Sequence, residues 1–295
     1  MSKDTLCGIL ALILFCWGSV LVVLCLQVLP PFELGAAIFF IGYIMLTLLQ
    51  LARGKNVITP WKQAPVIYMG AVSGIGIYTV LIYAAFKMEP AFEVNVLNYL
   101  WPIFMVVFSM VLRKSALNML HIAGAAMGFI GMVLLFKGPG QSLIPEDISL
   151  GHGLAVMGAA IWAAYSIWAK GQNYTSSFMG PVMLISSLLC LIAHVMWEET
   201  AWPYTLAGGL VVFTLGAFRV SYVLWDIGMR RGDTLLLTSL SYCVPLASTL
   251  LMIAFGFKPE HPGIALGGAL IVLGCLTVNA DKLLKLFRQR LVPAA

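Results

Sequence analysis

The sequence predicts an all-α integral membrane protein, with ten transmembrane helices built as two inverted five-helix repeats around a central cavity. Three observations predict it. Of 295 residues, 61% are hydrophobic and 10% charged, against about 25% charged in soluble domains, and mean hydropathy is +0.97. The chain divides into apolar runs of about 20 residues, the length a helix needs to cross hydrocarbon. The second half also repeats residue patterns of the first.

The first apolar run, 5–28, is too long for a signal-peptide core and has no small-residue cleavage site, so it is expected to remain as the first span. Further spans are read at 32–52, 64–86, 91–112, 117–137, 150–170, 178–197, 205–229, 234–256 and 262–281, each bounded by charge, proline or glycine. The longest connection, KGPGQSLIPEDIS, leaves no room for a soluble domain. Any activity must then lie within the spans. The units are residues 1–140 and 148–284, followed by a basic tail, 285–295, that either lies on anionic lipid or is simply solvated.

Lysine and arginine are retained on the cytoplasmic side of a membrane, which fixes orientation. Thirteen fall on the side of the amino terminus, from Lys3, Arg53, Lys55 and Lys62 to Arg288 and Arg290. Only Lys87, Lys137 and Lys258 lie opposite. Both termini are expected inside. The net charge of +5 is mostly this bias and calls for no nucleic acid or acidic partner. The six cysteines all lie in apolar runs without metal or redox spacing, and read as small core residues.

The repeat is carried by short strings. NYLWP lies over SYCVP at an offset of 143, pairing Tyr99 with Tyr242 and Pro102 with Pro245, and the same offset pairs Gly124 with Gly267 and Gly131 with Gly274. At 145, Gly8 and Trp17 meet Gly153 and Trp162. Because five spans is an odd number, the second unit enters the membrane inverted, an architecture of secondary transporters with a midplane site. Channels and some membrane enzymes also duplicate.

Pro102 and Pro245 fall within spans, where proline removes a donor and frees the carbonyl four residues earlier. In lipid such a carbonyl is tolerated only beside protein or cavity water. Paired helix bends for rocking or gating are therefore expected at these prolines, beside a polar cavity. Asn95, Asn98, Tyr99 and Pro102 share one helix face with Trp101 on its edge, whereas Glu93 lies well round the helix and either snorkels or meets Lys87. Span nine carries Thr234, Thr238, Ser241, Tyr242, Ser248 and Thr249 on one face, open to two readings: interhelical hydrogen bonds or a cavity wall.

Span eight holds two costly charges, Arg219 and Asp226, with Tyr222 between them. Either they neutralise each other, or Asp226 holds Arg230, or Arg219 meets a substrate carboxylate by a forked pair of hydrogen bonds. Trp17, Tyr78, Tyr99, Trp101, Trp162, Tyr165, Trp225 and Tyr242 are aromatics inside spans, whose OH and NH groups need partners or a wet cavity. Trp61, Trp197 and Trp202 stand at span ends, as interfacial anchors do. Gly70/Gly74, Gly124/Gly128 and Gly263/Gly267 have GxxxG spacing, compatible with close packing inside the bundle or with dimerisation.

The sequence has no Walker or dinucleotide glycine loop, no HExxH, no GxSxG and no intramembrane Cys/His cluster. No cofactor, metal or enzymatic chemistry is expected, and transport would run on gradients.

The strings EVNVLNYLWP, IWAAYS and YVLWDIG followed by SYCVP resemble the drug/metabolite transporter superfamily, in its EamA branch, and within it the aromatic amino acid exporters of bacterial inner membranes. The similarity covers nearly the whole chain. It implies a monomeric inner-membrane exporter of phenylalanine, tyrosine, tryptophan and related amphipathic solutes. The matching positions are Glu93, Asn98, Tyr99, Trp101, Pro102, Trp162, Tyr165, Tyr222, Trp225, Tyr242 and Pro245. Arg219 is a departure from the family pattern. The expected substrate-binding set is Trp17, Tyr78, Asn98, Tyr99, Trp101, Trp162, Tyr165, Arg219, Tyr222, Asp226 and Tyr242. Facilitated flux by alternating access is the favoured mechanism; the alternative is broad, proton-coupled efflux of cationic drugs or other metabolites. The implied partners are a small-molecule substrate and the lipid bilayer, with no obligatory protein.

Overall fold

The structure, a computed structural model, describes residues 2–89, 94, 97–113, 119–136, 148–201, 205–254, 263–278 and 280. Helices run at α1 Lys3–Leu26, α2 Pro31–Ala52, α3 Pro65–Val72, α4 Tyr78–Met88, α5 Trp101–Arg113, α6 Met119–Phe136, α7 Leu150–Ala169, α8 Met179–Trp197, α9 Leu206–Ala217, α10 Val220–Arg231, α11 Thr234–Ser241, α12 Cys243–Ala254 and α13 Gly263–Val278. Among the described residues, six helical segments are long and apolar enough to cross a membrane: Lys3–Leu26, Pro31–Ala52, Pro65–Met88, Leu150–Ala169, Ser176–Trp197 and Leu206–Arg231. Two shorter apolar helices cover Met119–Gly131 and Leu266–Val278. Glu93, Asn95 and Trp202 lie outside the described residues.

Local chemistry starts these helices where hydropathy changes. The Ser2 hydroxyl accepts from the Thr5 N–H at 3.2 Å, Thr205 from Gly208 at 3.1 Å and Asp233 from Leu236 at 3.1 Å. Each satisfies a donor that the first turn leaves open. α2 begins on a proline and takes its cap from a distant residue. The Glu198 carboxylate, at the end of α8, accepts from Phe32 N at 3.1 Å and Glu33 N at 3.0 Å. Lys87 stands 3.6 Å from the same carboxylate and donates to the Trp197 carbonyl at 2.8 Å, so the basic residue at the end of α4 serves this junction.

Three interruptions divide otherwise continuous spans. α3 and α4 are joined by a π-helical turn at Ser73–Ile77. α9 and α10 meet at Phe218 and Arg219, where Arg219 N bonds to Gly216 O and Tyr222 N to Arg219 O, a tighter turn than the α-helix. α11 and α12 meet at Tyr242, whose N–H bonds to Ser239 O. A similar interruption, turn residues Tyr99 and Leu100, precedes α5. Two of these lie just before Pro102 and Pro245, as helix-breaking prolines require.

The helices pack in pairs: α6 on α13, α2 on α8, α1 on α10, α4 on α7, α1 on α12, and α5 on α7. Glycines set several spacings. A methyl at Gly74 would lie 2.2 Å from the Tyr165 ring and one at Gly70 2.5 Å from Trp168, so the first GxxxG pair admits aromatic rings of α7. The central core gathers Phe39, Trp101, Trp162, Tyr165, Tyr222, Trp225 and Tyr242, and outward faces carry exposed Leu, Ile, Val and Met suited to lipid.

Candidate functional site

The break at Phe218–Arg219 and the π turn before Tyr78 open onto one cavity of about 190 Å³. That holds roughly a dozen water-sized groups, on the scale of an amino acid. α1 contributes Phe15 and Gly18, α4 contributes Tyr78, Thr79 and Tyr83, Asn98 and Tyr99 come from the segment leading into α5, and Trp101 is the first residue of α5. Trp162 of α7, Ser221 and Tyr222 of α10, Arg219, and Val244 of α12 complete the wall.

Its apolar side is a connected set of rings. Trp162 lies with centroid distances of 5.4 Å to Tyr78, 5.6 Å to Tyr222 and 6.4 Å to Trp101, the last two edge to face. Trp225 stacks beneath Trp162 at 6.1 Å and 20°, and its indole N–H donates to Ser166 Oγ at 3.0 Å. Such offset and edge contacts add about 0.5–1.5 kcal/mol per pair beyond burial. The wall presents ring faces and edges to a guest.

Its polar side is small. Tyr78 OH donates to Asn98 Oδ1 at 3.3 Å. Arg219 is buried; its Nε donates to Leu215 O at 3.4 Å and its Nη1 to Tyr222 OH at 3.2 Å. The guanidinium carbon lies 5.4 Å from the Phe39 ring centroid and 5.2 Å from that of Tyr222. Ring faces attract a cation without neutralising it.

Seven of the eleven residues expected at the site line this cavity: Tyr78, Asn98, Tyr99, Trp101, Trp162, Arg219 and Tyr222. Four do not. Trp17 is 37% exposed on the outside of α1, because it stands two residues, or about 200°, from Phe15, which fills the predicted role against Trp162 at 6.2 Å. Tyr242 is buried with its ring against Gly128 of α6, away from the cavity. Tyr165 and Asp226 belong to a separate polar core. There Asp226, fully buried, takes Arg230 Nε at 3.1 Å, Tyr165 OH at 3.2 Å and Tyr174 OH at 2.5 Å. Arg230 also donates to the Tyr174 carbonyl and, at 2.6 Å, to Ser176 Oγ. Burial, then the adjacent Asp226 carboxylate, pushes the Tyr174 phenol well above its ordinary range, so it remains a donor. Asp226 thus holds Arg230 and does not neutralise Arg219.

Three hydroxyls of the α11 stripe bond to backbone carbonyls, Thr234 to Met229 O of α10 at 3.4 Å and two within α11 itself. Thr238 donates to Thr234 O at 2.8 Å and Ser241 to Thr238 O at 2.5 Å. Phe15, Thr79, Tyr83 and Ser221 were missed by sequence reasoning. The stripe Phe15, Gly18, Val22 and Leu26 has cavity-face spacing, but hydropathy alone does not separate it from a lipid-facing stripe.

Helices of membrane-spanning length around an aromatic and polar cavity define a multi-pass membrane protein with a pocket of small-molecule size. Known proteins agree. Residues 5–137 match the EamA-like transporter family. The chain is 32% identical over 278 residues to the aromatic amino acid exporter YddG of Ancylobacter novellus, covering 92% of this chain and 96% of that one. It is 26% identical to the exporter of the same name from Escherichia coli K12, covering 85% and 87%. A solved crystal structure superposes with a TM-score of 0.83 at 30% identity, covering 95% of this chain and 98% of the other. The chain belongs to the EamA-like transporter family, and it is a transporter and not an enzyme.

Proposed function

We propose that this protein is a facilitative exporter of aromatic amino acids in a bacterial inner membrane. The observation that carries the proposal is the cavity wall itself: Tyr78, Trp101, Trp162 and Tyr222 offer flat apolar surfaces beside the Asn98 amide and the Arg219 guanidinium. A zwitterion with a ring needs those three kinds of surface. The names of the YddG relatives support the same substrate class.

The working architecture is ten spans in two inverted repeats, residues 1–140 and 148–284, with the tail 285–295 and both termini cytoplasmic. Packing supports it. At the repeat offset, α1·α10 exchanges with α7·α4, and α1·α12 with α7·α5, while α2·α8 and α6·α13 map onto themselves. Such a relation suits two units that rock about a midplane site, with bends at Pro102 and Pro245. The protein acts as a monomer.

The test is uptake of labelled tryptophan, phenylalanine and alanine into liposomes carrying the purified protein without any ion gradient. Saturable uptake of the aromatic pair, suppressed by unlabelled tryptophan, is expected. Uptake appearing only with an imposed proton or sodium gradient overturns the facilitative mechanism, and no amino acid flux under any gradient overturns the substrate class.

A further inference from the structure

We propose that Arg219 anchors the substrate carboxylate, so that the cavity selects aromatic carboxylic acids over amines bearing the same ring. The inference rests on the aromatic amino acid reading above and narrows it to the group recognised.

An arginine stays charged in proteins, and a charge within a span faces a partner or a polar cavity. Arg219 is 8% exposed, at the break between α9 and α10 near the middle of the span Leu206–Arg231. Its partners are all neutral: a backbone carbonyl, the Tyr222 phenol and two ring faces. Among the described residues no carboxylate forms an ion pair with it; the acid on the same helix, Asp226, is held by Arg230. Of the five N–H donors of a guanidinium, two are used, one on Nε and one on Nη1. Three remain, enough for the forked pair that matches a carboxylate.

Position supports the same occupant. The Arg219 stem packs against Gly42 of α2, where a methyl would lie 2.8 Å from its Cβ, so the side chain is seated from behind. Arg219 lines the cavity together with Tyr83 and Ser221. Across the cavity, Tyr78 and Trp162 offer ring faces and Asn98 an acceptor for an ammonium. A carboxylate on Arg219 with its ring toward Trp162 uses both sides, whereas an amine lacking the carboxylate leaves the guanidinium fork unmatched and adds a like charge beside it.

The experiment measures competition against labelled tryptophan uptake in liposomes, together with thermal shift of the purified full chain, using tryptophan, indole-3-propionate, tryptamine and tryptophanamide. The two carboxylates are expected to compete and stabilise at concentrations at least about tenfold below the amine and the amide. Arg219→Gln should abolish that difference and weaken tryptophan about tenfold or more, with Arg219→Lys intermediate because a point charge lacks the fork. Uptake of tryptophan that tryptamine suppresses equally well overturns the anchor and leaves the amino acid reading intact. Absence of tryptophan uptake overturns that reading, and the thermal shifts then decide the anchor alone: stabilisation by indole-3-propionate and not tryptamine supports it, and equal or no shifts overturn it. The ligand series on the unaltered protein stands even where a variant fails to fold.

Discussion

A methyl group placed on Gly124 of α6 would lie 2.7 Å from the carbonyl oxygen of Gly274 on α13 and 2.6 Å from Val278 Cγ2, so the two helices approach to backbone contact there. A second such contact lies further along the same two helices, where a methyl on Gly131 would lie 2.6 Å from Gly267 O. Gly124→Ala is therefore expected to destabilise by about 1–3 kcal/mol through overpacking. Gly153→Ala, where nothing lies within 4 Å, should be neutral or gain up to about 1 kcal/mol. Thermal unfolding in detergent checks the ranking; equal midpoints would remove the close-contact argument.

The Asp226–Arg230 pair should behave as a structural element. Removing one partner of a buried pair costs about 3–5 kcal/mol, so Asp226→Asn should lower the melting midpoint steeply. Tyr174→Phe, which deletes one hydrogen bond to the carboxylate, should cost about 1–3 kcal/mol. A well-folded Asp226→Asn protein with normal melting and no transport would instead move Asp226 into the transport machinery.

Much of this was legible in the sequence for simple reasons. Hydropathy, with the charges, prolines and glycines that bound each apolar run, placed the ends of α1, α2, α7 and α8 within two residues, since a chain leaving lipid changes composition there. Pro102 and Pro245 announced the interruptions at Tyr99 and Tyr242. The π turn at Ser73–Ile77 had no comparable marker beyond Ser-Gly-Ile-Gly, because a widened turn needs only small residues. Rotation about each helix axis was the harder quantity. In lipid both the outer face and the cavity face are apolar, so Phe15 and Trp17 look alike to any periodicity. The Asp226 network was half hidden because Tyr174 lies in a connection, outside every helical pattern.

That rotation makes a direct prediction. Trp17→Leu should leave tryptophan transport per folded molecule unchanged, whereas Trp162→Phe should weaken it severalfold by removing the indole at the centre of the ring cluster. Initial rates in liposomes, normalised to monodisperse protein, provide the comparison. Loss of transport in Trp17→Leu alone would mean that α1 turns its other face to the substrate.

Gly18 offers the sharpest separation of cavity from core. It is buried and lines the cavity, yet a methyl added there would meet nothing within 4 Å. An ordinary buried glycine resists enlargement, as Gly124 does, since its neighbours have no room to yield. Gly18→Phe should therefore fold with an unchanged or raised melting midpoint, the new ring contacting Tyr78, Trp162 or Tyr222 in space that substrate would otherwise occupy. Transport of tryptophan should fall to the background of empty liposomes, and tryptophan should no longer raise the melting midpoint. A folded Gly18→Phe protein that still carries tryptophan at the original rate would show that the substrate path avoids this cavity, and the roles assigned to Arg219 and Trp162 would fall with it.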